Sequence, residues 1–205
     1  MKVGVILVGT ELLNGGTLDT NSLYIAEELN KYGMEIEFKI TVRDFKEEIY
    51  RAIDYCKKYV DLIIMSGGLG PTLDDITKEV IADYVKKPLV VDEEELKELK
   101  DKFEKAGLKF KNLNIKEVEK PEGSVTFKND VGMAPAVYID DIVAFPGVPK
   151  ELYNMLPKFL TWYAKEKKLL DDEIYIKDLI TYGMAESLLD EAVREFFTEE
   201  GIYYE

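Results

Sequence analysis

The chain has 205 residues, 46% hydrophobic and 33% charged, and 41 acidic against 27 basic residues leave a formal net charge of −14. This is the composition of a globular protein with room for one good α/β core, and the acidic excess weighs against nucleic acid and anionic membrane as partners, since both are held by Lys and Arg. One cysteine excludes an internal disulfide, and the absence of histidine excludes Ser-His and Cys-His pairs and His-ligated zinc. Any catalysis must run on carboxylates, Lys, Tyr, backbone amides or a metal held by oxygen.

Lys2 to Gly9 (KVGVILVG) is a valine-rich apolar run ending in glycine, as a strand buried on both faces reads. It is too short, and too soon followed by Glu11, for a secretion signal. No run approaches the ~18 apolar residues of a membrane span, so a cytoplasmic protein is expected. NSLYIAEELNKYG predicts a helix with Leu23, Ala26, Leu29 and Tyr32 on its seam, Thr20 or Asn21 as N-cap and Gly33 at its end. MEIEFKITV alternates as a strand; Ile49, Ala52, Ile53 and Cys56 line a second helix. VDLIIMSGG is another buried strand, and Ile76, Val80 and Tyr84 mark a third helix. Strand and helix alternating three times predict a parallel sheet with helices on both faces.

A charged helix with Leu96, Leu99 and Phe103 on its seam follows. GSVTFKND and APAVYIDDIVAFPGVP then read as strands, with a hairpin turn at Asp140-Asp141, and PKELYNMLPKFLTWYAKEKK as a further helix. Residues 1–170 thus read as one three-layer α/β/α domain with a mostly parallel sheet. Residues 171–205 hold one strand (EIYIKDLITYG) and one helix (MAESLLDEAVREFF), a short C-terminal α/β appendage.

Four stretches carry candidate chemistry. VGTELLNGGTLDTNS follows the end of the first strand, where open α/β sheets bind ligands. Its Glu11, Asp19 and Asn21 offer oxygen ligands for a metal or acceptors for sugar hydroxyls, although Thr20 and Asn21 also suit a helix cap. In TVRDFKEEI, Asp44 sits where capping alone would explain it. In MSGGLGPTLDDITKEV, Gly67, Gly68 and Gly70 free backbone amides for an anion at a helix start, with Thr72 and Thr77 as hydroxyl donors. No GK[ST] follows and GxGxxG is not matched, so neither a P-loop kinase nor a dinucleotide-binding dehydrogenase is supported. The neighbouring Asp74 and Asp75 would repel a phosphate unless a divalent cation lies between, and Mg²⁺ needs only carboxylate, water and phosphate oxygens. Glycines for one phosphate and carboxylates for a metal on the next point to a diphosphate or nucleotide. The fourth, FPGVPKELYNML, places Gly147 between two prolines at the same sheet edge.

In this order, GTELLNGGTLDTNS, SGGLGPTLDDITKE, NDVGMAPA, FPGVPKEL and the later TYGMAES resemble the MoaB/Mog molybdopterin-binding superfamily, and within it the N-terminal domain of the CinA (competence/damage-inducible) family. The resemblance covers essentially the whole chain; it departs at Ala136, where the family usually has glycine. The family's C-terminal deamidase domain has no counterpart before Glu205, and a KH-like region is at best half present. The resemblance implies a nucleotide or molybdopterin as small-molecule ligand, a dimer, and metal-dependent hydrolysis of ADP-ribose to AMP and ribose 5-phosphate. In the pterin branch it implies adenylyl transfer to molybdopterin; a nucleotide- or pterin-binding module without chemistry is the remaining alternative. Asp44 and Asp75 match the pterin family's important aspartates, which makes them the candidate catalytic residues, and Asp44, Asp74 and Asp75 the candidate Mg²⁺ ligands.

Overall fold

The structure, a computed structural model, describes residues 1–169 and 181–194. The chain divides into two compact units, Met1–Ile174 and Tyr175–Glu205. The first opens with β1 (Lys2–Val8), a one-turn helix α1 (Thr10–Leu13), α2 (Asn21–Asn30), β2 (Glu35–Val42), α3 (Lys46–Cys56), β3 (Leu62–Ser66) and α4 (Thr77–Tyr84). An insert follows: β4 (Leu89–Val91), α5 (Glu93–Lys105), a 3-10 helix (Asn112–Val118) and β5 (Glu119–Pro121). The chain returns through β6 (Val125–Phe127), β7 (Ala136–Ile139), β8 (Ile142–Phe145) and α6 (Pro149–Lys167). In the second unit α7 (Glu186–Val193) realises part of the expected helix, and the expected strand lies mostly outside the described residues.

Six strands form the main sheet in the order β2-β1-β3-β8-β7-β6. β2, β1, β3 and β8 are parallel, and β7 and β6 run antiparallel to their neighbours. The alternation of β1 decides the layers. Val3, Val5 and Leu7 face α2 and α6, packing on Ile25, Leu29, Leu156 and Phe159; Ile6 and Val8 face α3 and α4, packing on Ile49, Ile53, Val80 and Ile81. This is the three-layer, mostly parallel architecture expected from the alternating pattern. Asp140 and Asp141, at φ 51° and 53°, make the β7–β8 turn where it was expected.

Two expectations need correction. Of the expected α2 seam, Leu29 is buried and Tyr32 packs against the core, but Leu23 is 61% exposed, and the buried face is Asn21, Ser22, Ile25, Glu28 and Leu29. Thr20, one of the two expected N-cap residues, occupies the N-cap position of α2 without a side-chain capping bond; the Asp19 carboxylate accepts from the Ser22 amide at 2.9 Å. Asp44 does not cap α3, whose N-cap position is Phe45. The insert's β4, 3-10 helix and β5, like α1, lack the length that makes a periodic pattern legible.

Candidate functional site

Because β2 lies on one side of β1 and β3 on the other, the order of strands reverses at β1 and β3, and the loops after them part there to leave a crevice. β8, parallel to β3, brings the Pro146–Val148 turn to the same edge. Polar contacts tie the three loops together. Asn21 Nδ2 donates to Ser66 Oγ at 2.9 Å and to the Gly147 carbonyl at 2.8 Å, and Ser66 Oγ donates to the Pro146 carbonyl at 3.3 Å. A carbonyl can only accept, so this network orients the Asn21 amide. Its buried Oδ1 then has no partner among the described residues.

Asn21, Ser66 and Gly147 line a cleft together with Glu11, Asp19, Thr17 and Thr20; Leu7, Leu12, Leu18 and Pro149 supply apolar wall, and the cleft has a volume of about 80 Å³ and opens to solvent. The cleft therefore brings together Glu11, Asp19, Asn21 and Gly147, and adds Ser66, whose role as the last residue of a buried strand had no signal in the sequence. Its lining offers acceptors and no cation, which suits a heterocycle and hydroxyls rather than a phosphate. Glu11 lies so close that a Cβ on Gly9 would come 2.6 Å from its Oε1. Asp19 is less free: burial pushes its pKa up, but the Ser22 hydroxyl and amide and the Lys39 ammonium outweigh burial and hold it below the ordinary value.

Gly67 has φ 109° and Gly68 φ 71°, and a Cβ on Gly67 would run into the Val8 carbonyl oxygen. The loop is pinned at its base, with the Gly67 amide donating to Phe145 O at 3.0 Å. Thr77 is fully buried; its amide donates to Gly68 O at 3.1 Å and its hydroxyl to Gly67 O at 2.8 Å, so it closes the loop rather than facing a ligand. The Gly68, Leu69 and Gly70 amides donate to no described residue. Three consecutive unengaged amides in the glycine turn that precedes α4 are donors of the type an anion takes. The Gly147 Cα borders it, since a Cβ there would stand 3.4 Å from the Gly67 Cα.

Both aspartates of this loop converge on Thr72. Asp75 Oδ2 accepts from its amide at 2.9 Å and its hydroxyl at 2.6 Å, and the hydroxyl also contacts Asp74 Oδ1. Gly70 leaves room for this, because a Cβ there would lie 2.5 Å from Asp75 Oδ2. One hydroxyl carries one proton and cannot satisfy two carboxylates at once. The Thr72 hydrogen bond holds the Asp74 pKa below its usual value, with its own backbone amide and, more weakly, Lys116 contributing. Two converging carboxylates fit a divalent cation that takes its remaining ligands from phosphate and water, which is how Mg²⁺ commonly binds. No group of three carboxylate, Cys or His ligands exists among the described residues, so the protein alone supplies no closed cage.

Asp44 is placed elsewhere. Its Oδ2 accepts from the Thr10 amide and the Thr10 hydroxyl, each at 2.8 Å, and so fixes the loop after β1. On α4, Lys78 is buried with Nζ donating to Lys116 O at 2.5 Å, and burial lowers its pKa to about 8. Cys56 packs against Gly4 in the core, and burial pushes its thiol up to about 11.

Residues 4–166 match a family described as "probable molybdopterin binding domain". The chain is 65% identical to a CinA-like protein of Fusobacterium nucleatum over all of its length and 50% of that protein's, and 37% identical to a CinA-like protein of Dictyoglomus turgidum over 98% of this chain and 49% of that one. It thus spans about half the length of the curated relatives it matches. Among solved structures, the CinA protein of Thermoplasma acidophilum matches at TM-score 0.68 and 31% identity, covering 82% of this chain and 98% of that one. The molybdopterin biosynthesis enzyme MoaB of Thermus thermophilus matches at TM-score 0.54 and 20% identity over 82% of this chain and 93% of that one, a likeness of fold. No helix among the described residues is long and apolar enough to cross a membrane.

Proposed function

The chain belongs to the molybdopterin-binding domain family and to its CinA-like members, and from that premise we propose that it is a divalent-metal-dependent hydrolase of a nucleoside diphosphate sugar, ADP-ribose giving AMP and ribose 5-phosphate. The observation that carries the reading is the pairing of unengaged Gly68–Gly70 amides with the two carboxylates on Thr72, next to a cleft of apolar walls and hydrogen-bond acceptors. One half accepts an anion that brings a cation; the other accepts a heterocycle and sugar.

The Gly68, Leu69 and Gly70 amides would hold non-bridging oxygens of the diphosphate and orient it against the carboxylates. Asp74 and Asp75 would hold the cation, Mg²⁺ being the expected one, whose chemistry when bound is to offset phosphate charge and acidify water. Asn21 Oδ1 would accept an N–H of the base, Glu11 the ribose hydroxyls, and Leu12, Leu18 and Pro149 would cover the ring from water. Asp44 acts at one remove, through Thr10 and the loop that carries Glu11. Water adds across one P–O–P linkage, so both products leave as phosphate monoesters.

The test is incubation of the chain with ADP-ribose, with and without Mg²⁺, scoring AMP by chromatography; Mg²⁺-dependent AMP is expected. A second reading, adenylyl transfer to molybdopterin, draws on the same cleft, since a pterin also presents N–H donors to Asn21. Consumption of ATP with molybdopterin, and no AMP from ADP-ribose, would replace the first reading by the second.

A further inference from the structure

The insert between α4 and β6 is hydrogen-bonded to the loop of the candidate site through the Lys116 side chain. Lys116, on the 3-10 helix, places Nζ 2.9 Å from the Thr72 carbonyl oxygen and 3.0 Å from Glu79 Oε1. Its own carbonyl accepts from the buried Lys78. Thr72 is the residue whose amide and hydroxyl meet Asp75 and whose hydroxyl meets Asp74. It is therefore held from both sides, at its carbonyl by a lysine 44 residues away in sequence and at its N–H and O–H by the two carboxylates.

The loop needs such a hold. Thr72, Leu73 and Asp74 are exposed, Leu73 at 97%, so no buried apolar side chain anchors this tip to the core; segments of this kind open at little cost. Among the described residues, Lys116 is the only cation whose side chain bonds to the Gly67–Ile76 loop. It is four-fifths covered, at 20% side-chain exposure, which limits the positions its ammonium can take.

We propose that Lys116 is the positioning residue of this site: by fixing the Thr72 carbonyl it makes Asp74 and Asp75 face one point. Its effect on turnover rests on the hydrolase reading above; its effect on the loop does not. The competing role is a strut, in which Lys116 only ties the 3-10 helix to α4 through Glu79.

Amide exchange at Thr72, followed in the labelled 205-residue chain, separates the two. In Lys116→Met the Thr72 amide is expected to exchange at least about tenfold faster, the size of losing one charge-assisted hydrogen bond, with the α4 amides unchanged. Lys116→Arg restores protection, and Glu79→Gln, which removes the ion pair but keeps the Thr72 contact, leaves it unaltered. With ADP-ribose, Lys116→Met is expected to lower kcat about tenfold with little change in KM, a misplacement effect, and Lys116→Arg to recover it. Unchanged Thr72 exchange in Lys116→Met, or Glu79→Gln reproducing the loss, overturns the proposal. If Lys116→Met does not fold, Lys116→Gln takes its place with the same expected direction and the same overturning result. No AMP from the unaltered chain would remove the hydrolase reading, and the exchange experiment would still decide the role of Lys116.

Discussion

Adding one methyl group at Gly67 would drive it into the Val8 carbonyl oxygen at a φ of 109°, whereas at Gly70 it would meet the Asp75 carboxylate in a backbone conformation open to any residue. The two glycines therefore separate folding from chemistry. Gly67→Ala is expected to cost on the order of 2–4 kcal/mol, read as a fall in the denaturation midpoint. Gly70→Ala should change stability by less than about 1 kcal/mol while moving Asp75 and lowering turnover by about 100-fold; equal losses of stability in the two would contradict this division. Asp44 belongs with the structural group. Asp44→Ala removes the one oxygen that accepts from both the amide and the hydroxyl of Thr10 and is expected to cost about 1–3 kcal/mol, with ADP-ribose affinity falling as the loop after β1 loosens. The glycines and aspartates were legible because their types are unusual in that spacing, but long-range partners were not: Thr10 for Asp44 and Lys116 for Thr72 are contacts across the fold.

At the scale of elements, α3 shows what periodicity can deliver. Its expected seam, Ile49, Ala52, Ile53 and Cys56, is its buried face, because a helix with one apolar stripe has one way to lie on a sheet. α2 has apolar residues on more than one side, and its buried face includes Asn21, Ser22 and Glu28, so hydrophobicity alone found Leu29 but put the exposed Leu23 beside it. α4 hides a further surprise in Lys78, 1% exposed between α4 and the 3-10 helix. Burial lowers its pKa from 10.5 to about 8, with Glu79, Glu119 and Glu117 opposing. Between those values the unfolded chain binds more protons at this residue than the folded chain, so stability from Lys78 rises with pH from about 8 to 10.5 and its penalty is complete below 8. Lys78→Met is expected to abolish that rise, worth on the order of 3 kcal/mol. Chemical denaturation of both proteins across pH 7–10.5 measures it, and parallel profiles would show that Lys78 does not titrate low.

For the whole molecule, parallel β1, β3 and β8 deliver three loops to one edge, and the function proposed here depends on their meeting there: β1 brings Glu11 and Asn21, β3 the amides and aspartates, β8 Gly147. The sheet order follows from alternating strands and helices, whereas the insert that bears Lys116 carries no such pattern and its approach to Thr72 is visible only in three dimensions. The most direct test compares AMP release from ADP-ribose by the unaltered chain and by Asp75→Asn, at saturating Mg²⁺, with circular dichroism confirming that both are folded. The account predicts Mg²⁺-dependent AMP from the first and at least about a 100-fold loss in the second. Near-equal AMP release by the two folded proteins would contradict it.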